Sequence, residues 1–352
     1  MPAPRLSDKV LRETVEAVDA ADGNISQASR NLGVGRSTFE GRYKTALQRF
    51  DIKAPTHQED DSPKAILPEF GDDDIPIEDV LNTMQRRFEV RAQGQQARKW
   101  FTIEVDTSDP IAINFVGDPH IDSPGCNIPL LRRDVELMSQ PGHFCLNLGD
   151  TTDGDWPGRL MKLHAESDQS ITTARRLADW FLNDTGLRWL AVIIGNHDAW
   201  GDGAEILRRM NVQKIPMLDW TARFKVKFAN ERELKILASH SFPGHSWINP
   251  LHSNQRREMV EEAHIYASGH KHDWGIHQSE NGFRGNVYTL LRARGYKFID
   301  QYAENLGYPS QQFAATVCAV VEPRATSPAQ FVKCFADLAE GAEFLAWKRG
   351  RK

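Results

Sequence analysis

Cysteine is scarce in this chain: Cys126, Cys145, Cys318 and Cys334 are the only four in 352 residues, and no two form a C-x-x-C pair. That scarcity excludes a disulfide framework and a cysteine-based zinc knuckle, and it suits reduced thiols in a cytoplasmic setting. Long apolar runs are missing as well. The longest, Trp189–Ile194 and Phe313–Val321, fall far short of the ~20 residues that span a bilayer. Met1–Val10 carries no apolar segment of the secretory type, so no membrane partner is expected. Charge of one sign is also in short supply. A net charge of −5 argues against a surface that coats nucleic acid wholesale. What remains, 40% hydrophobic and 26% charged residues over 352 positions, predicts a globular protein with more than one core.

The average charge conceals an asymmetry. Residues 24–50 carry Arg30, Arg36, Arg42, Lys44 and Arg49 against Glu40 alone, whereas residues 51–79 carry ten acids against Lys53 and Lys64. A small basic module on an acidic tether is the organisation this predicts. Residues 1–50 read as short helices. Val10, Leu11, Val15 and Val18 recur at helical spacing up to Asp22-Gly23; Ile25–Leu32 stops at Gly33; Ser37–Phe50 follows Gly35-Arg36. Residues 51–75, rich in Asp, Glu and Pro, read as a solvated linker. Residues 76–99 read as a connecting amphipathic helix, with Ile77, Val80, Leu81, Met84 and Phe88 on a stripe expected to pack.

From residue 100 to 352 short apolar runs alternate with helical ones. Ile111–Val116, Phe144–Leu148, Trp189–Ile194, Leu234–Ala238 and Ile265–Ala267 are the strands, with helices such as Pro129–Met138 and Ile171–Leu182 between them. This alternation predicts an α/β domain with largely parallel pairing, in which ligands bind beyond the carboxyl ends of strands. Those ends share one chemistry. They carry Gly117-Asp118-Pro119-His120, Gly149-Asp150-Thr151-Thr152-Asp153, Gly195-Asn196-His197-Asp198, Ser239-His240 and Gly269-His270-Lys271-His272. Any one of these is a common turn or helix cap. Five in succession, each after a strand, point to a site for one or two borderline-hard divalent ions.

The order D-x-H, G-D-x-x-D, G-N-H-D, H, G-H-x-H resembles the calcineurin-like metallophosphoesterase superfamily over roughly residues 100–290. The resemblance implies a four-layer α/β/β/α sandwich. It implies two divalent metal ions, manganese foremost, with iron, zinc or nickel as alternatives. One ion would be held by Asp118, His120, Asp150 and His272 and the other by Asp150, Asn196, His240 and His270, with Asp150 bridging. Two such cations clamp phosphoryl oxygens and acidify the attacking water, so in-line hydrolysis of a phosphate ester is the implied reaction. His197 would stabilise the transition state or protonate the leaving oxygen, and Asp153 would orient it. His245 competes with His240 for the fourth motif, but His240 comes directly off the strand. Trp156 and Trp200 follow two of the motifs and would either wall the pocket or pack in the core. His57, His143, His164, His252, His264 and His277 read as structural. Serine/threonine protein phosphatases carry Asp-Arg-Gly in the second motif and an arginine before G-N-H. Here Asp153-Gly154-Asp155 and Ile194 stand instead, so protein phosphatase activity is not expected.

Residues 23–39, Gly23-Asn24-Ile25 through Ser37-Thr38-Phe39, resemble a Fis-type helix-turn-helix, with Ser29 standing where the pattern carries a second alanine. Ala28 would let the helices cross, Leu32 and Val34 would pack the turn, and Gly33 would make it. The resemblance implies DNA as a partner of residues 24–50, and hence a phosphodiesterase or nuclease acting on nucleic acid. The alternatives are a small-molecule phosphodiesterase or phosphomonoesterase, and a DNA-binding regulator with an inactive core. Val287–Ala293 and Ala314–Val321 are expected to close the second sheet, followed by a helix near Phe335–Trp347. Arg292, Arg294, Lys297 and the terminal Lys348, Arg349, Arg351 and Lys352 are read as solvated surface, with steering of a polyanion as the alternative.

Overall fold

The computed structural model describes residues 6–54, 75–97, 99–154, 170–299, 304 and 311–350. Most of the acidic stretch lies outside them, as do His57, Trp156, His164, Arg351 and Lys352. The chain divides into two compact units, Met1–Ile75 and Pro76–Lys352. No helix among the described residues is long and apolar enough to cross a membrane.

Among the described residues, the first unit holds three helices, α1 (Asp8–Asp19), α2 (Ile25–Asn31) and α3 (Arg36–Phe50). Ser7 and Asn24 cap the first two by accepting from the amides of Val10 and Gln27. Val18, Ala28, Phe39 and Tyr43 form the core where the helices meet. Gly33 makes the turn between α2 and α3 with a left-handed backbone (φ 64°), as expected. Leu32 departs from expectation. It is 42% exposed, and Val34 alone packs the turn against the core.

The second unit begins with α4 (Ile77–Ala97). Its stripe does not pack as expected: Ile77, Leu81, Met84 and Phe88 are 50–70% exposed. Beyond it lie two six-stranded sheets. One runs β1 (Phe101–Val105), β6 (Thr221–Phe228), β7 (Glu233–Ser239), β8 (Ile265–Ser268), β10 (Asn286–Arg292), β9 (Gly275–Asn281) across its width. The other runs β12 (Val332–Phe335), β11 (Thr316–Val321), β2 (Ile111–Val116), β3 (His143–Asn147), β4 (Trp189–Ile194), β5 (Met217–Asp219). The pairing is mixed: β2 through β5 are parallel neighbours, while β6–β7, β9–β10 and β11–β2 are antiparallel.

Successive side chains of a strand point to opposite faces, and here both faces of each sheet find apolar partners. Ile113, Phe115, Leu146 and Ile193 meet Phe224, Val226, Ile236 and Ile265 in the space between the sheets. On the outer face of the second sheet, Ala112, Val116, Cys145 and Val192 pack under α5 (Ile128–Met138), α6 (Ile171–Asp179) and α10 (Leu338–Gly350) through Leu131, Val135, Ala178 and Leu345. On the outer face of the first, Leu237, Tyr266 and Leu290 are covered in part by the segment leading into α8 (His252–Val260), where Leu251 caps the cluster. The result is a four-layer α/β/β/α sandwich, the architecture that the motif order implied. One expectation fails in detail. β10 and β11 do not close one sheet together but enter different sheets, because β11 adds antiparallel to β2 whereas β10 adds parallel to β8.

Candidate metal centre

The five motif-bearing strands bring their carboxyl ends to one place. β2, β3 and β4 are consecutive neighbours in one sheet, and β7 and β8 are neighbours in the other. Adjacent loops lock onto each other: the His120 amide donates to the Asp150 carbonyl (3.1 Å) and the Gly269 amide to the His240 carbonyl (3.1 Å). Close approach fixes the glycines. A Cβ on Gly195 would strike Asp150 Oδ1, and one on Gly269 would strike Asp118 Oδ2.

Asp118, His120 and His272 offer donor atoms that cluster together, as do Asp150, His240 and His270, and as do His120, Asp153 and His197. The spacings are close. His120 Nε2 and His272 Nε2 lie 3.2 Å apart. Around His240 Nε2 converge Asn196 Oδ1 at 2.9 Å, His270 Nδ1 at 3.0 Å and Asp150 Oδ2 at 3.2 Å. One imidazole nitrogen serves one hydrogen bond, so three partners at such distances exceed what hydrogen bonding uses. Ligand atoms about 2.1 Å from a common ion lie roughly 3 Å from one another, which is the observed spacing. Buried Asp118 Oδ1 has no hydrogen-bond partner among the described residues. The donor set therefore fits a pair of divalent ions.

Backbone strain gathers at the same place. Asp118, His120, Asp150, His270 and His272 all have left-handed backbones, with φ between 38° and 72°. Residues with a Cβ pay for that conformation, and such strain persists where surrounding contacts over-determine it. Asp198 supplies much of the determination here. Its carboxylate accepts from the amides of Asp150 (2.7 Å), Thr151 (2.9 Å) and Gly195 (3.0 Å), stitching the β3 and β4 loops together.

Burial and mutual charge polarise the cluster. Burial pushes the Asp118 carboxyl up to about 7, and burial with Asp150 alongside pushes Asp198 up to about 6. Against its own burial, Asp150 is held well below the usual carboxylate range by His240. Against theirs, His120 and His240 are pushed up to about 9 by Asp153 and Asp150 respectively. Burial and the neighbouring His240 lower His270 to about 3. Carboxylates this deeply buried require compensating positive charge, which bound cations supply.

The ring of His240 is oriented by the Leu148 carbonyl, 2.9 Å from Nδ1, and that of His120 by Asp153 Oδ1, 2.8 Å from Nδ1. In both cases Nε2 is left to face the cluster, the arrangement in which a second partner sets the tautomer of a ligating histidine. His197 sits edge-on to His120, its ring centroid 5.0 Å away, and its amide donates to Asp150 Oδ1 (2.8 Å). Its Nδ1 lies 2.6 Å from the backbone carbonyl of Asp153. A carbonyl only accepts, so Nδ1 carries the proton. The expected orientation of His197 by Asp153 thus runs through the main chain; the Asp153 carboxylate is occupied with His120 and with Lys297 Nζ at 3.3 Å.

All nine residues singled out from the sequence, the seven donors together with His197 and Asp153, lie at these strand ends. His245 does not; it is exposed in the following loop with its ring toward Trp247. Trp200 packs against His197, ring centroids 4.2 Å apart. Among the histidines read as structural, His264 Nδ1 accepts from the Lys235 amide at 2.9 Å and His143 is buried beside Asn114. The reading of Arg292, Arg294 and Lys297 as solvated surface is wrong: all three are buried. Arg292 pairs with Asp273 (2.8 Å) and Ser253 (2.9 Å), and Arg294 lies over the Phe298 ring. Sequence reasoning assigned no role to Asp198, to Lys297 on Asp153, or to Asp122, which accepts from the Asp153 amide at 2.6 Å. Asp198 closes the quoted G-N-H-D motif, and that position was the available signal.

No family model and no curated protein matches the sequence. Among solved structures, the chain is similar to vacuolar protein sorting 29 from Cryptosporidium parvum, at 13% identity and a TM-score of 0.35 over 65% of this chain and 100% of that one. It is also similar to a predicted phosphoesterase from Streptococcus pneumoniae, at 12% identity and a TM-score of 0.30 over 65% of this chain and 98% of that one. A third likeness is to a Vps29 double mutant from Entamoeba histolytica, at 15% identity and a TM-score of 0.33 over 64% of this chain and 97% of that one.

Proposed function

We propose that this protein is a metal-dependent phosphoesterase of the calcineurin-like type that hydrolyses phosphodiesters, with nucleic acid as its substrate class. The observation that carries the reading is the convergence of Asp150 Oδ2, Asn196 Oδ1 and His270 Nδ1 on His240 Nε2, beside the Asp118–His120–His272 cluster. Asp118, His120, His272 and Asp150 would hold one divalent ion, and Asp150, Asn196, His240 and His270 the other. Bound there, such ions supply Lewis acidity to the phosphoryl oxygens and lower the pKa of water.

The remaining work falls to side chains of the chain. His197 is anchored at both its amide and its Nδ1, so its Nε2 is the nitrogen that gives or takes a proton. In hydrolysis it donates that proton to the leaving ester oxygen, or as imidazolium it balances charge on the phosphoryl group. Asp153, braced by Lys297 and Asp122, holds His120 in place. Asp198 keeps the Asp150 and Asn196 loops in register.

Delivery to nucleic acid rests on the first unit. α2, the turn at Gly33 and α3 have the connectivity of a helix-turn-helix, and Arg36, Lys44 and Arg49 are exposed on α3. Arg36 pairs with Glu40 and Arg49 with Asp8, each at 2.9 Å. Exposed pairs of this kind are worth little and yield readily to phosphates. The test of the activity is direct. The purified, manganese-loaded protein is expected to hydrolyse bis(aryl) phosphodiesters, and failure on both that substrate and an aryl monoester would overturn the reading.

A further inference from the structure

β5 belongs to one sheet and β6 to the other, and a single residue, Trp220, carries the chain between them. Its backbone is left-handed, with φ at 61°. For a bulky residue that is an outlier, whereas Gly or Asn takes it at little cost. The sheet crossing therefore asks for a small residue, and the sequence places its largest side chain there. Nor does the core use the indole, which is 41% exposed.

What holds the strained residue is a dense set of bonds. The Trp220 amide donates to the Ile194 carbonyl (3.2 Å), and its carbonyl accepts from the His240 amide (2.9 Å) and from Ser239 Oγ (2.9 Å). Indole Nε1 donates to the Ser241 carbonyl (3.0 Å), which sets the ring plane. The ring so fixed stands 5.1 Å from the His240 ring and 6.3 Å from the His270 ring, centroid to centroid. A rigid, half-exposed aromatic face thus borders the cluster that would hold a phosphoryl group. Trp200, on His197, stands by a different motif of the same site.

We infer that Trp220 is the stacking platform for a nucleobase attached to the scissile phosphate, so that the site prefers nucleotide diesters to diesters of simple alcohols. The inference rests on the phosphoesterase reading for its phosphate and adds the substrate's planar group. Base–aromatic stacking contributes ~1–3 kcal/mol per base, and ~1.4 kcal/mol, near the low end, corresponds to a ten-fold preference.

The experiment compares wild type with Trp220→Gly and Trp220→Phe on a dinucleotide and on a dialkyl phosphodiester, with manganese bound. Trp220→Gly relieves the backbone strain and is expected to fold, while the dinucleotide-to-dialkyl ratio of kcat/KM falls about ten-fold, chiefly through KM. Trp220→Phe is expected to restore part of that ratio. A readout independent of turnover is quenching of tryptophan fluorescence by a nucleoside monophosphate, expected in wild type and diminished in Trp220→Phe, with ribose 5-phosphate producing none. Equal losses on both substrates, with unchanged quenching, would make the indole a shield for His240 and His270 and overturn the inference. If wild type hydrolyses neither of these diesters and also fails on the bis(aryl) phosphodiester and the aryl monoester, the phosphoesterase reading fails. The quenching comparison then still decides whether Trp220 stacks on a base.

Discussion

At the scale of single residues, the centre separates groups that would bind from groups that would act. Asp150, the proposed bridge between the two ions, has Oδ2 toward His240 and Oδ1 on the His197 amide. Asp150→Asn is expected to weaken both manganese-binding events in a calorimetric titration. His197→Ala is expected to keep both and lose about 10²–10⁴-fold in turnover; near-normal turnover would show the acid–base role misassigned. Asp153→Asn separates two views of one residue. With its carboxylate on His120, the substitution should cost ~10–100-fold in affinity at the Asp118–His120–His272 cluster, as loss of an orienting partner does. If turnover fell with both affinities intact, the carboxylate would be acting on His197 instead. The donors themselves are legible from sequence because each follows a strand directly, so chain order alone brings them to one edge. Asp122 and Lys297 are not legible, and Asp198 is legible only as the last position of its motif, without its role. Their partners are backbone amides and a carboxylate contributed by other loops, and only the folded chain decides which of these converge.

Elements show the same division. β2 and β4 are buried along their whole length and stand in the sequence as unbroken apolar runs. β6 alternates buried and half-buried residues from Thr221 to Phe228, a strict period of two in T-A-R-F-K-V-K-F that a search for continuous runs passes over. The assignment of β10 and β11 to separate sheets turns on strand direction, which side-chain pattern does not encode. α4 shows the limit of amphipathicity: a stripe at helical spacing specifies an apolar face without specifying that the fold covers it. The edge of β8 yields a pH prediction. His264 is lowered to about 4 by burial and by Lys235, with Arg232 adding to the shift and Glu262 and Glu233 opposing it. Between that value and its ordinary 6.5 the unfolded chain binds the proton and the folded chain does not, so stability falls as pH falls through this window. The maximal slope from one such group is ~1.4 kcal/mol per pH unit. Urea titrations from pH 7.5 to 5 should show wild type losing stability faster than His264→Gln, whose amide oxygen can still accept from Lys235. Parallel curves would remove His264 from the account.

For the whole molecule, the question is why a helical unit with a basic α3 precedes an α/β/β/α sandwich in one chain. Deleting residues 1–50 removes Arg30, Arg36, Arg42, Lys44 and Arg49 and leaves every donor of the candidate centre in place. Under the delivery reading, the truncated protein keeps its turnover of a small phosphodiester and loses its affinity for duplex DNA. Salt makes the prediction sharper. Neutralising phosphates releases counterions, so four phosphate contacts would weaken binding about a hundred-fold between 50 and 200 mM salt. The acids of residues 51–79 would repel the same polyanion, so they are not expected to add to this binding. A gel-shift titration at two salt concentrations, with and without residues 1–50, tests each of these steps. Binding that is tight in the full chain, steep in salt and absent after truncation supports delivery. Equal affinity in both forms would reduce the three-helix unit to a docking module and leave a small nucleotide diester as the substrate that the centre, with Trp220 beside it, is built to take.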